Sequence, residues 1–171
     1  GRVFTGHLFA NRDELRRLMQ ESAQGITSEE RVMINRVLDL QNLTVRSVAV
    51  PWEKVVSVEA GTPMKQVMEL FRQRQFTRMP VCESRTGRAR VAGVLSLRRL
   101  LFQGEVDEGK LAAEYLQPAL YLDEQMRLED ALRAMQRSGQ RLGIVLTRER
   151  RELGVVSLED ILKAVFGEVS L

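Results

Sequence analysis

Gly93-Val94-Leu95-Ser96-Leu97 and Gly154-Val155-Val156-Ser157-Leu158 are one pattern written twice, 61 positions apart. The same offset carries Leu100-Leu101 onto Ile161-Leu162. Upstream the offset becomes 64 and takes Val56-Ser57-Val58 to Leu120-Tyr121-Leu122. It also takes Met64, Val67, Met68 and Phe71 to Leu128, Ala131, Leu132 and Met135, and Val81 to Val145. Both sets of four are spaced i, i+3, i+4, i+7, which is one face of a helix. The three-residue difference falls between two strand-like runs, in the polar stretches Glu83 to Arg90 and Thr147 to Glu152, where length is cheap to change. Each copy therefore reads strand, helix, strand, turn, strand, helix. The predicted fold class is α/β (α+β): two β-α-β-β-α repeats related by a pseudo-two-fold axis. A unit of this size has a small core and gains by packing on its twin.

Working outward sets the boundaries. Residues 1–46 read as a helical connector, 47–104 as the first copy, and 105–171 as linker plus second copy. In the connector, Asn11 with Glu14 and Thr27 with Glu30 each have capping-box spacing, so two helices are predicted. Gln24-Gly25 separates them, and the second presents Met33, Ile34, Val37 and Leu38 on one face. The stretch Phe102 to Glu114, with two glycines and several charges, reads as the link between copies.

Composition narrows the function. Apolar residues are 44% and charged residues 29% of 171, as in a soluble globular chain. No run of roughly 18 apolar residues suggests a membrane span, and no signal segment opens the chain. One cysteine, Cys82, and one histidine, His7, exclude an internal disulfide and a Cys/His zinc site. A net charge of +3, with 26 basic and 23 acidic residues interspersed, argues against nucleic acid. No Ser/His/Asp or Cys/His set and no Walker-type loop occurs, so no catalytic residues are assigned and an enzyme is not expected. The first residue is Gly1 rather than Met, which suggests a piece of a longer protein.

The repeated pattern has two readings. Ser157 closes a strand and opens a helix, and Asp160 sits in the first helical turn. A hydroxyl with exposed helix N–H groups suits phosphate, and a carboxylate beside it suits a ribose diol. The plainer reading is a capping box with Asp160 in place of the usual Glu.

The duplicated pattern resembles a tandem pair of cystathionine-β-synthase (CBS) domains over about Val48 to Phe166. The resemblance is carried by Val55-Val56-Ser57-Val58, Thr77-Arg78-Met79-Pro80-Val81, Gly93-Val94-Leu95-Ser96 and Gly154 through Leu162. It is closer still to the CorC/HlyC and CNNM type of magnesium and cobalt transport proteins. Leu153 through Val169, Phe76-Thr77-Arg78-Met79-Pro80-Val81 and the helical stretch around Glu29-Glu30-Arg31 are similar to that subgroup. The resemblance implies a cytosolic pair, commonly a homodimer, that binds ATP or AMP, commonly with Mg2+ on the phosphates. It further implies coupling to an upstream transmembrane domain in a protein of the inner or plasma membrane. By resemblance, Ser157 faces the phosphates, Asp160 holds the ribose, and Gly154, Phe76, Thr77 and Arg78 complete the nucleotide site. No protein-bound metal site is implied.

Two departures from the subgroup matter. Where it carries Met-x-Pro-Arg, this chain has Ala49-Val50-Pro51-Trp52, so Trp52 stands in place of an Arg; its ring either stacks on an adenine or packs. In copy one the acid position holds Arg99, which offers only donors to a ribose diol. At most one nucleotide site per chain is therefore expected, in copy two. Phe76 and Arg78 also admit a structural reading, with Phe76 in the core and Arg78 solvated. The competing function is a CBS pair without ligand, serving dimerisation and protein interaction. Another reading is a soluble CBS protein with some other partner.

Overall fold

The computed structural model of the chain describes residues 27–85 and 88–166. The helix predicted near Asn11 lies outside them. Helix α1 (Ser28–Leu40) is capped as its spacing predicts: the Glu30 N–H donates to Thr27 Oγ1 at 3.1 Å. Leu38 is buried and Ile34 half-buried, but Met33 is exposed, so the apolar face is narrower than the sequence suggests. A one-turn helix α2 (Val45–Val48), not predicted, and a two-residue strand β1 (Val50–Pro51) follow.

Copy one runs β2 (Val58–Glu59), α3 (Met64–Arg74), β3 (Arg78–Arg85), β4 (Arg88–Ser96) and α4 (Leu97–Phe102). Copy two runs β5 (Leu120–Asp123), α5 (Leu128–Ser138), β6 (Leu142–Leu146), β7 (Glu152–Ser157) and α6 (Leu158–Phe166). In each, the first strand pairs parallel with the second, and the second antiparallel with the third. The repeat extends to a defect. Both antiparallel ladders slip by one residue, leaving Ala92 unpaired in β4 and Leu153 in β7, and these are 61 positions apart. The predicted faces are the buried ones: Met64, Val67, Met68 and Phe71 in α3, and Leu128, Ala131 and Met135 in α5 with Leu132 partly buried. The first strand of copy one is shorter than the Val56-Ser57-Val58 reading, with ladder pairing only at Val58–Glu59.

Three apolar clusters hold the chain together. One lies under α3 within copy one, and one under α5 and α6 within copy two. The third joins the copies through Cys82, Val91 and Val94 from one sheet and Leu142, Ile144, Leu146 and Val155 from the other. Burying both inner faces supplies what a single small unit lacks, since each fully buried Val or Leu contributes about 1.5–3 kcal/mol. Side chains from copy two also close the backbone of copy one. Tyr121 Oη–H donates to the Val91 carbonyl at 2.9 Å, and the Val91 N–H donates to Glu152 Oε1 at 3.2 Å.

The copies exchange edges. Strand β1, which precedes copy one, pairs antiparallel with β7 of copy two. Gln117, which precedes copy two, exchanges backbone hydrogen bonds of 3.0 and 2.8 Å with Val94 of copy one. The two motif glycines sit at these crossings. A Cβ on Gly93 would lie 2.6 Å from the Gln117 carbonyl oxygen, and one on Gly154 would collide with the Val50 carbonyl. The linker is not a loose tether. Met64 and Ala112 N–H groups donate to the Lys110 and Thr62 carbonyls at 2.8 Å, and Ala112 lies in the core of copy one. Conversely, Val45 is fully buried in the core of copy two, and its N–H donates to the Met126 carbonyl at 2.8 Å.

Candidate functional site

Copy two turns from β7 into α6 at Ser157, and the turn is a closed reciprocal cap. The Ser157 N–H donates to Asp160 Oδ2 at 3.0 Å, and the Asp160 N–H donates to Ser157 Oγ at 3.0 Å. This is the plainer of the two sequence readings, realised with Asp at the third helical position. It leaves each group capacity: the second carboxylate oxygen of Asp160 and the hydroxyl proton of Ser157 have no partner among the described residues. Gly154 is buried three residues upstream, and the backbone of Val50 occupies the space a side chain would take. Its small size serves the edge exchange.

The segment Phe76-Thr77-Arg78 divides. Phe76 packs against the core of copy one and meets the Phe71 ring edge-on, with centroids 5.8 Å apart and planes at 67°. The exposed Thr77 accepts the Leu97 N–H at its carbonyl, 2.8 Å away. Arg78 opens β3 opposite Ser96, is half-buried, and points into the space between copies. Burial lowers its pKa, Glu159 of α6 opposes that shift, and Arg141 and Arg98 add to it. Arg78 thus comes near the acidic start of α6, one residue from Asp160. Of the six predicted residues, Ser157 and Asp160 touch, and Arg78 lies within electrostatic reach of Glu159 on their helix. Phe76 and Gly154 serve packing. Trp52 is half-buried against the cluster between the sheets, which is its packing reading.

Two clefts flank this region. One, of about 580 Å3, lies at the end of α5 and includes Met135, Gly139, Gln140 and Leu158. The other, of about 550 Å3, lies between the copies and includes Arg78, Arg98, Arg99 and Arg141 with Ser96 and Gln117. Neither is lined by Ser157 or Asp160. Copy one's cap is looser than its twin's: the Arg99 N–H donates to Ser96 Oγ at 3.4 Å, and nothing returns the bond. The Arg99 guanidinium turns away and donates to Gln117 Oε1 at 2.7 Å. Sequence reasoning missed Arg98, Arg141 and Gln117 as cleft residues. Copy alignment carried a signal, because Gln140-Arg141-Leu142 is copy two's counterpart of Phe76-Thr77-Arg78. Among the described residues, no group of three His, Cys, Asp or Glu side chains could hold a metal ion, and no helix is long and apolar enough to cross a membrane.

A duplicated β-α-β-β-α unit with exchanged edges and a Gly-apolar-apolar-Ser turn in each copy defines a tandem CBS pair. The CBS domain family model matches residues 45–103 and 112–167, and the chain belongs to that family. Among solved structures, it is similar to the CBS domain of the bacterial CNNM/CorC family Mg2+ transporter, with a TM-score of 0.80 at 23% identity, covering 93% of this chain and 98% of that one. The same transporter domain in complex with ATP matches with a TM-score of 0.73 at 25% identity, covering 82% of this chain and 99% of that one. Among curated proteins, UPF0053 protein MG146 homolog of Mycoplasma pneumoniae is 31% identical over 144 residues, covering 84% of this chain and 34% of that protein. UPF0053 protein YhdP of Bacillus subtilis is 23% identical over 172 residues, covering 98% and 38%. The chain thus spans about a third of the length of the curated relatives it matches. The family resemblance is to transporter CBS pairs rather than to an enzyme.

Proposed function

We propose that this chain is the regulatory CBS pair of a CNNM/CorC-like magnesium or cobalt transport protein and binds one adenine nucleotide. The observation that carries this reading is the approach of Arg78, from copy one, to the start of α6, where Ser157 and Asp160 keep unused hydrogen-bonding capacity. In this reading Asp160 accepts from a ribose hydroxyl, while Ser157 and Arg78 donate to phosphate, a charge-assisted bond. Thr77 adjoins Arg78 in the chain, and Phe76 anchors the segment in the core of copy one. Mg2+ enters on the phosphates of ATP; AMP binds by the same ribose and first-phosphate contacts. The ATP complex of the related transporter domain supports the assignment. The fragment works on the cytosolic side of the cell or inner membrane, as a homodimer, coupled to an upstream transmembrane domain.

Calorimetry with ATP and AMP, with and without Mg2+, tests it. Binding at sub-millimolar concentration that Asp160→Ala weakens by about 1–3 kcal/mol is the expected result. No binding of either nucleotide at millimolar concentration defeats it. A second reading, a ligand-free pair used for dimerisation and protein contact, is favoured by one observation: Ser157 and Asp160 already satisfy each other's backbone N–H groups. That reading predicts a dimer by light scattering with no nucleotide heat.

A further inference from the structure

We propose that the depression where the hairpin ends of the two copies meet is a binding site for an acidic amino acid, taken as its zwitterion. Its lining comes from both copies: Arg90 and Val91 of β4, Tyr121 of β5, Leu146 of β6, Arg150 of the turn after β6, and Glu152 at the start of β7. Among the described residues neither guanidinium makes an ion pair, although Glu152 lines the same space. That space is about 270 Å3. Sites for drug-sized ligands run from about 300 to 1,000 Å3, so this one suits a molecule of amino-acid size. It is remote from the Gly-apolar-apolar-Ser turns. Glu152 opens β7 and Ser157 closes it, about 16 Å further along the strand. The proposal therefore does not depend on the nucleotide reading.

The fold positions the polar groups of this lining. Tyr121 Oη and Glu152 Oε1 are both fixed on the backbone of Val91, at 2.9 and 3.2 Å. Glu152 Oε2 and a lone pair on the Tyr121 hydroxyl stay open. Arg150 holds φ at 65°, the left-handed region that favours glycine. Its turn is closed by the Arg150 N–H on the Thr147 carbonyl at 2.9 Å and the Thr147 N–H on the Arg151 carbonyl at 2.8 Å. Glycine would hold that turn with less strain, so what the position gains is a guanidinium. Val91 and Leu146 are buried and supply apolar surface. Charge then decides the ligand class. Two guanidiniums and one carboxylate are complemented by two anionic groups and one cationic group, which is the charge set of glutamate or aspartate. The two carboxylates take the forks of Arg90 and Arg150, and the ammonium group donates to Glu152 Oε2. A bare polyanion fits less well, because Glu152 repels it. Bound this way, the amino acid bridges the two copies.

Calorimetric titration of the folded chain with L-glutamate and with L-aspartate, beside glutarate, which lacks the ammonium group, tests the proposal. The expected result is saturable binding of at least one of the two amino acids at millimolar concentration, with glutarate at least tenfold weaker. Arg150→Gly should lower that affinity at least tenfold. The same variant relieves the left-handed backbone, so it should melt no lower than the parent, a combination that a merely structural role for Arg150 does not give. Glu152→Gln keeps an acceptor for the Val91 N–H and should also lower the affinity at least tenfold. The proposal is overturned if neither amino acid binds at millimolar concentration, if either variant lowers the affinity by less than tenfold, or if glutarate binds as well as the amino acid. It is also overturned if ATP displaces the amino acid, because the ligand then lies in the nucleotide cleft. Failure of ATP itself to bind defeats only the nucleotide reading.

Discussion

At the scale of single residues, Asp160 carries two duties that substitution can separate. Its carboxylate caps α6 through the Ser157 N–H, and its other oxygen is the proposed ribose acceptor. Asp160→Asn keeps an oxygen for the cap, so stability should hold within about 0.5 kcal/mol while nucleotide affinity falls. Asp160→Ala should lose both, with the cap alone costing about 0.5–2 kcal/mol. Urea unfolding and calorimetry on the two variants check this; equal affinity in Asp160→Asn and the parent would remove Asp160 from the ribose. Gly154 makes the opposite point. A side chain there meets the Val50 carbonyl, so Gly154→Ala should destabilise by about 1–3 kcal/mol through displaced backbone, with the effect visible in the melting temperature even without nucleotide. The sequence marks this glycine as a place of close approach, but glycine alone does not say whether the approaching atoms belong to a ligand or to the chain.

At the scale of elements, the helix faces were legible because α3 and α5 bury the periodic positions that the repeat aligns. The cleft arginines were not, because Arg78, Arg98, Arg99 and Arg141 are brought together only by the meeting of two copies. The contact between β4 and the side chains of copy two was equally hidden. Tyr121→Phe removes the hydroxyl that reaches the Val91 carbonyl, and should cost about 1 kcal/mol in denaturant unfolding. Burial raises the pKa of Tyr121, with Glu152 and Cys82 adding to the shift; burial likewise raises that of the Cys82 thiol. Both groups stay protonated in the folded chain above their ordinary values of 10.0 and 9.0, where the unfolded chain has released its protons. Stability should therefore be level below about pH 8 and fall as pH rises past about 9. A urea midpoint unchanged between about pH 8 and pH 10.5 would contradict this.

At the scale of the whole molecule, the two copies are one folding unit. The third cluster and both edge exchanges cross the boundary between them. The fragment 105–171, taken alone, loses β1, the buried Val45 and half of the shared cluster. It should show little cooperative thermal unfolding by circular dichroism, whereas residues 27–171 should melt in one transition. The sequence announced the duplication but drew the copies as consecutive blocks, since pattern matching follows chain order and edge exchange does not. That exchange has a mechanical corollary. Anything joined ahead of residue 45 is fastened, through α2 and β1, straight onto the strand that terminates at Ser157. A tug arriving from upstream would reach the α6 turn by way of a few backbone hydrogen bonds, bypassing the body of copy one altogether.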